Sequence, residues 1–148
     1  MSFREPYWEH PQASARRASA IRLAEVIVAA DGPILPTHRR RLLSTTVWKM
    51  TEADDKHNLR YRSKAALDAT SRSDVRHEHV IPRGVLVQRM MDEPHRVAEI
   101  LSEAVACLVT KEEHLRLGPG TGWDRYRLAG IEVVDMLDGS TVDGNVSR

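Results

Sequence analysis

The chain has 148 residues, of which 41% are hydrophobic and 29% charged, and its formal net charge is +1, as is typical of a folded globular domain. Its apolar runs fall short of the roughly 20 residues that cross a bilayer, so we expect no membrane segment. The polar N-terminus lacks the apolar stretch of a secretion signal, so we expect a cytoplasmic protein. Cys107 is the only cysteine, which excludes an intramolecular disulfide and a cysteine-based zinc knuckle.

Positive charge is concentrated in the first half of the chain. Residues 1–76 hold 14 Lys and Arg against 9 Asp and Glu, whereas residues 77–148 hold 8 against 12. A basic half can face an anionic polymer, but a modest excess of arginine is also typical of an ordinary solvated surface. Charge by itself therefore leaves nucleic-acid binding as one of two interpretations.

Two helices are predicted in the N-terminal part of the chain. Apolar residues recur at helical spacing over residues 13–30, and Gly32 with Pro33 follows as a stop signal. Thr37 is predicted to cap a second helix whose apolar stripe reaches Met50. A polar loop follows that helix, and a short helix is predicted before residue 70.

An arginine run lies in the first turns of the second predicted helix and consists of Arg39, Arg40 and Arg41. Positive charge at the start of a helix opposes the helix dipole, so the run suggests side chains kept for a partner such as phosphate. A solvated helix face is the alternative interpretation, because the dipole effect there amounts to only a few tenths of a kcal/mol, roughly. Both interpretations stay open.

The second half of the chain is predicted to begin with a strand. Residues 75–81 have period-two character and end at Pro82, as expected of a short strand that does not continue. An amphipathic helix is predicted to open near Pro94 and to run to Val105. A second, buried strand is predicted over residues 106–109.

A capping box marks the start of the next predicted helix. Thr110 is the expected N-cap, and Glu113 lies three residues later, where its side chain can reach back to the main chain. His114 is therefore placed in the first turns of this helix, which Gly118 and Gly120 bring to an end. A short helix and a third strand are predicted between residues 122 and 136.

Three histidines are placed near one another by these elements. His77 and His79 belong to the first predicted strand, and His114 belongs to the helix that follows the second. A hydrolytic nuclease needs a base that deprotonates water and a divalent metal that stabilises charge on phosphate. Imidazole suits the first role near neutral pH, and imidazole and carboxylate suit the second.

The segments around these histidines resemble the HNH, or ββα-metal, nuclease superfamily. Glu78-His79-Val80-Ile81-Pro82 is similar to the acidic-His-aliphatic-aliphatic-Pro segment on the first strand of that family. Residues 108–117 are similar to its strand-to-helix segment, which bears a metal-binding histidine. The resemblance implies that His79 is the general base and that Glu78 and His114 hold a divalent cation, Mg²⁺ or Mn²⁺.

The chain departs from the family pattern in two respects. No asparagine lies between the two segments to fill the middle position of the His-Asn-His signature, and residues 83–105 form a long, largely helical spacer. On a regular strand, moreover, Glu78 and His79 point to opposite faces. The alternative ligand set is then His77 with His79 and His114, which is more typical of Zn²⁺.

Basic residues near the two segments are predicted to contact phosphate. Arg76 and Arg83 flank the first strand, and a guanidinium matches phosphate geometry, so we expect Arg83 to assist catalysis and Arg76 to bind nucleic acid. Lys111 and Arg116 on the predicted metal helix are further candidates, although i, i+4 pairing of Glu112 with Arg116 is the commoner role.

The sequence thus predicts an α+β protein with an N-terminal helical region over residues 1–70, a ββα-metal core over 71–136 and a flexible tail over 137–148. The expected function is divalent-metal-dependent hydrolysis of DNA phosphodiester bonds, in phage biology, defence or recombination. The first alternative is a non-catalytic module with the same fold that binds nucleic acid or protein. The second is a small phage or mobile-element regulator with a protein partner or a homo-oligomeric state, in which the histidines are incidental.

Overall fold

The structure is a computed structural model that describes residues 2–143, and it is an α+β protein. Its helices and strands follow one another as α1 (Ala13–Ala29), α2 (Pro36–Thr51), β1 (Tyr61–Ser63), α3 (Lys64–Leu67), β2 (Val75–His79), α4 (Arg83–Asp92), α5 (Val97–Ser102), β3 (Ala106–Thr110), α6 (Lys111–Arg116), α7 (Asp124–Leu128) and β4 (Val133–Asp135). Short 3-10 turns precede β2 and α5. None of the helices in this part of the chain is long and apolar enough to cross a membrane.

The chain forms two compact units, and each is discontinuous in sequence. The helical unit consists of Glu9–Asp54 and Ile81–Val105. The sheet unit consists of Met1–Trp8, Asp55–Val80 and Ala106–Arg148, as far as these residues are described. Each unit has an apolar cluster of its own.

The helical unit is held together by packing rather than by helix caps. None of its α-helices, α1, α2, α4 and α5, has a side-chain hydrogen bond at its N-cap. Burial of an apolar face is the usual source of helix stability in proteins. The buried cluster consists of Ala20, Ala24, Leu43, Val47, Met50, Leu86, Val87, Met90, Val97, Ile100 and Leu101.

The sheet unit is built on four strands in the order β2-β3-β1-β4. The strands β2 and β3 are antiparallel neighbours, β1 runs parallel to β3, and β4 is antiparallel to β1. Helix α6 begins directly after β3. The unit therefore contains two adjacent antiparallel strands followed by a helix, with the helical unit's second segment inserted between the two strands.

The two faces of the sheet carry different side chains. Along β2 the buried positions alternate, so His77 and His79 point to one side and Glu78 to the other. We call these sides the histidine face and the glutamate face. Residues that pair directly across neighbouring strands share a face, which places Arg62 on the histidine face and Tyr61 on the glutamate face.

Several of the predicted elements are confirmed. Helix α1 ends one residue before the predicted end, β2 and β3 coincide closely with the two predicted strands, and the capping box at Thr110 and Glu113 is present. The cap predicted at Thr37 is wrong, because α2 begins at Pro36. Proline suits the first helical position, since it lacks the N–H that would otherwise need an acceptor.

The two units do not follow the predicted boundary at residue 70. Strand β1 lies before that boundary, yet it joins β3 to β4, whereas Ile81–Val105 belongs to the helical unit. Within the predicted tail, the main chain up to Asp143 folds back on β4: Val142 N donates to Val133 O at 2.9 Å. These hydrogen bonds join the start of the predicted tail to β4, and residues 144–148 lie outside the described part of the chain.

Candidate functional site

Glu78 and His114 meet on the glutamate face, although 36 positions separate them in the chain. Nδ1 of His114 donates a hydrogen bond to Oε2 of Glu78 at 2.5 Å. With the proton on Nδ1, the other ring nitrogen, Nε2, carries a lone pair that can accept a proton or bind a cation. The side chain of His114 is 47% exposed, so an incoming ligand can reach it.

The position of His114 follows from the way α6 is attached to the sheet. Thr110 Oγ1 accepts a hydrogen bond from the Glu113 N–H at 3.2 Å, and Glu113 Oε2 accepts one from the Thr110 N–H at 2.9 Å. The hydroxyl of Ser63, at the end of β1, donates to the same carboxylate oxygen at 2.5 Å. Glu113 is buried, so these contacts fix the first turn of α6 and with it the adjacent His114.

Arg125 occupies the other side of the Glu78 carboxylate. Its Nη2 donates to Glu78 Oε1 at 3.1 Å and also to the main-chain carbonyl of His79. Both oxygens of Glu78 are therefore engaged, one by Arg125 and one by His114. The nearly buried guanidinium offsets the charge of the carboxylate. Sequence reasoning missed Arg125, because a lone arginine in a short helix carries no motif.

An aromatic cluster supports α7 beside this site. The ring of Trp123 lies 5.0 Å from that of Tyr61 and 5.2 Å from that of Tyr126, measured between centroids. The guanidinium of Arg125 lies 5.5 Å from the centre of the Tyr126 ring. Burial raises the pKa of the Tyr126 hydroxyl and that of the Cys107 thiol, so both stay protonated at neutral pH and neither is an activated nucleophile.

His77 and His79 lie on the histidine face, away from the contact between Glu78 and His114. Both rings are buried, with centroids 5.2 Å apart, and His77 Nδ1 donates to the Lys56 carbonyl at 2.8 Å. Burial lowers the pKa of His77 to about 4, so its ring is neutral at pH 7. The structure does not bring His79 to the pair as a base, nor does it unite the three histidines as ligands.

Arg83, predicted to assist catalysis, belongs to the helical unit and is engaged there. Its Nη1 donates to Ser44 Oγ at 2.9 Å, and its guanidinium lies 4.9 Å from the centre of the Trp48 ring. A hydrogen bond and a cation–π contact hold the side chain against α2. These contacts give Arg83 a structural role within its unit.

The three arginines of the run in α2 have different surroundings. Arg39 donates to main-chain carbonyls at the end of α1, where orphan carbonyls need donors, and so connects the two helices. Arg40 donates to Gln88 Oε1 at 2.5 Å, and Arg41 is exposed. The run is therefore not a uniform surface for phosphate, and Arg39 in particular stabilises the helical unit.

The other predicted phosphate contacts lie in the sheet unit. Arg76 is half-buried, alternates with His77 along β2 and donates to two nearby carbonyls, at 3.0 and 2.8 Å. Lys111 and Arg116 lie at the two ends of α6, the helix that bears His114. Among the residues predicted to contact nucleic acid, Arg76, Lys111 and Arg116 belong to the same unit as the Glu78–His114 pair.

The donor set suits some metals better than others. In residues 2–143, no group of three or more His, Cys, Asp or Glu side chains is arranged to hold a metal ion. Both oxygens of Glu78 accept hydrogen bonds within the protein, so Nε2 of His114 is the donor atom of this pair that is open to a cation, which is too few for a closed zinc site with four protein ligands. A cation at Nε2 would have to take its other ligands from water and substrate phosphate, as Mg²⁺ commonly does in part.

Comparison with models of known protein families gives no match to this chain, and comparisons with curated proteins and with solved structures give none either. Any functional inference therefore depends on the chemistry of the site itself.

Proposed function

We propose that this chain is a divalent-metal-dependent endonuclease that hydrolyses DNA phosphodiester bonds through an HNH-like arrangement. The observation that carries the proposal is the 2.5 Å contact between Glu78 Oε2 and His114 Nδ1. It joins the first of two antiparallel strands to the helix that follows the second strand. The resemblance to the HNH superfamily assigns metal binding to the same two residues.

Each residue of the site has a defined role in this proposal. His114 would hold Mg²⁺ or Mn²⁺ through Nε2, and Glu78, whose carboxylate accepts the hydrogen bond from Nδ1, would orient that imidazole. Such a cation, when bound, lowers the pKa of a water molecule and stabilises negative charge on phosphate. Arg125 orients the carboxylate of Glu78, while Lys111 and Arg116 contact the DNA backbone. His79 is not included as the base, because its ring is buried on the opposite face.

The test is cleavage of supercoiled plasmid DNA with Mg²⁺ or Mn²⁺, with and without EDTA. We expect nicking that requires metal and disappears in His114→Ala, a substitution that leaves the buried core intact because the His114 side chain is half-exposed. The matched control is His95→Ala, an exposed histidine of the helical unit, which is expected to cleave as the wild type does. Equal nicking by wild type and His114→Ala would indicate a contaminant and remove the proposal.

Calorimetric titration with Mn²⁺ separates the two roles open to His114. Loss of Mn²⁺ binding in His114→Ala identifies a ligand. Retained binding with lost cleavage identifies a proton acceptor instead, since Nε2 is then needed only for chemistry.

The second candidate is a non-catalytic module that binds nucleic acid or protein. Two observations favour this candidate: both oxygens of Glu78 already accept hydrogen bonds from the protein, and His79 is buried. This function predicts DNA or protein binding that no divalent metal, Zn²⁺ included, converts into cleavage. A gel-shift assay run beside the plasmid assay distinguishes the two candidates.

A further inference from the structure

A cavity of about 420 Å³ opens within the sheet unit, between residues 2–8 and the segment of residues 55–58. Its size lies in the range of small-molecule sites, roughly 300–1,000 Å³. Four basic side chains line it: Lys56, His57, Arg62 and Arg72. Lys56, Arg62 and Arg72 carry three positive charges against two acidic residues in the lining, Glu5 and Asp55, both of which are exposed.

Arg62 forms the buried floor of this charge cluster, with only 3% of the residue exposed. Its guanidinium donates to the carbonyls of Phe3 and Glu5 at 2.7 Å and to that of Leu59 at 2.8 Å. Among the described residues no carboxylate forms an ion pair with it, and the Glu5 side chain acts only at longer range. These carbonyls accept from Nε and Nη1 and carry no net charge, so they do not neutralise the buried guanidinium.

Lys56 and Arg72 add positive charge at the exposed rim. Both residues are exposed. Their effect is visible at His57, whose pKa is lowered first by burial and then by the charges of Arg72 and Lys56. The potential inside the cavity therefore favours an anion.

The segment that carries Lys56 and His57 is held in a defined conformation. Asp55 has a φ of +86°, a left-handed conformation that non-glycine residues adopt rarely and often at functional sites. The hydrogen bond from His77 to the Lys56 carbonyl ties the segment to β2. The cavity wall is therefore preorganised by the sheet, which lowers the entropic cost of binding.

We propose that this cavity binds a nucleoside phosphate, with the phosphate held by Arg62, Lys56 and Arg72 and the base beside the indole of Trp8. Phosphate supplies the missing counter-charge, and guanidinium groups match its geometry. Trp8 lines the cavity and is 48% exposed, so it offers a ring on which a base can stack. The ligand is a free nucleotide or the phosphorylated end of a strand.

The proposal is independent of the proposed nuclease activity. Arg62 lies on the histidine face, and Glu78 with His114 lies on the glutamate face. Substitution of His114 is therefore expected to leave nucleotide binding intact, and substitution at the cavity rim is expected to leave Mn²⁺ binding intact. Failure of one function does not imply failure of the other.

Calorimetric titration of the full chain tests the proposal with AMP, inorganic phosphate and adenosine. We expect AMP and inorganic phosphate to bind and adenosine, which lacks the phosphate, to bind far more weakly. Arg72→Ala and Lys56→Ala should each weaken AMP binding about tenfold, as loss of one charge-assisted contact implies. The matched control is Lys64→Ala, an exposed lysine of the same unit that pairs with Glu132 outside the cavity and should leave affinity unchanged.

Two outcomes overturn the proposal. One is the absence of AMP and phosphate binding at millimolar concentration, and the other is equal weakening by Arg72→Ala, Lys56→Ala and the Lys64→Ala control. Two oligonucleotides that differ only in a 5′-phosphate show whether the ligand is a strand end or a free nucleotide. Tighter binding of the phosphorylated strand than of AMP indicates a strand end, and the reverse order indicates a free nucleotide.

Discussion

At the scale of single residues, burial of His77 has a consequence for stability. Burial holds the pKa of this imidazole at about 4, below its ordinary value of 6.5. Between pH 6.5 and pH 4, His77 therefore binds a proton in the unfolded chain but not in the folded chain. The free energy of unfolding falls as pH is lowered through this window, because protonation stabilises the unfolded state. At about 1.4 kcal/mol for each pKa unit, the loss by pH 4 amounts to roughly 2–3 kcal/mol.

Replacing His77 with Gln tests this linkage. An amide also donates to the Lys56 carbonyl but does not titrate, so we expect His77→Gln to flatten the fall in unfolding free energy between pH 6.5 and pH 4. Urea unfolding at several pH values measures this dependence of the unfolding free energy on pH. A residual slope is expected, because the pKa of His57 is lowered as well. His95→Gln, at an exposed position, should retain the wild-type profile, and an identical profile for His77→Gln would contradict the prediction.

At the scale of elements, α6 depends on its capping box. Thr110→Ala removes the acceptor for the Glu113 N–H, and such a loss costs about 1 kcal/mol. Thr110→Ser keeps the hydroxyl and should restore most of that stability. Urea unfolding compares the two variants, and in the proposed function Thr110→Ala should also weaken Mn²⁺ binding, because α6 holds His114. Equal stability of wild type and Thr110→Ala would show that the cap is not needed.

Local signals predict some elements and miss others for a physical reason. The capping box at Thr110 is a short-range pattern, and it is confirmed. Strand β1 has three residues, which is too few for a period of two to be visible. The contact from Ser63 to Glu113 joins residues 50 positions apart, and that from Arg125 to Glu78 joins residues 47 apart. Partners at such distances leave no local trace.

At the scale of the whole molecule, the sheet order decides which fragments can fold. A fragment of residues 71–148 spans the predicted ββα core but lacks β1, which lies between β3 and β4 in the sheet. Without β1, the strand β4 loses its neighbour and β3 gains an unpaired edge. We expect this fragment to unfold without a cooperative transition, in contrast to the full chain. A well-dispersed amide NMR spectrum of the fragment would contradict this expectation.

The sequence by itself determined the α+β class, the helix α1, the strands β2 and β3 and the cap of α6, because periodicity and capping act over a few residues. The resemblance to the HNH superfamily assigned metal binding to Glu78 and His114, which stays a prediction. Only the tertiary structure decided that His79 faces away from them, that Arg125 completes the contact and that the cavity floor is Arg62. Burial of a strand side chain depends on what covers each face of the sheet, and those covering segments come from distant parts of the chain.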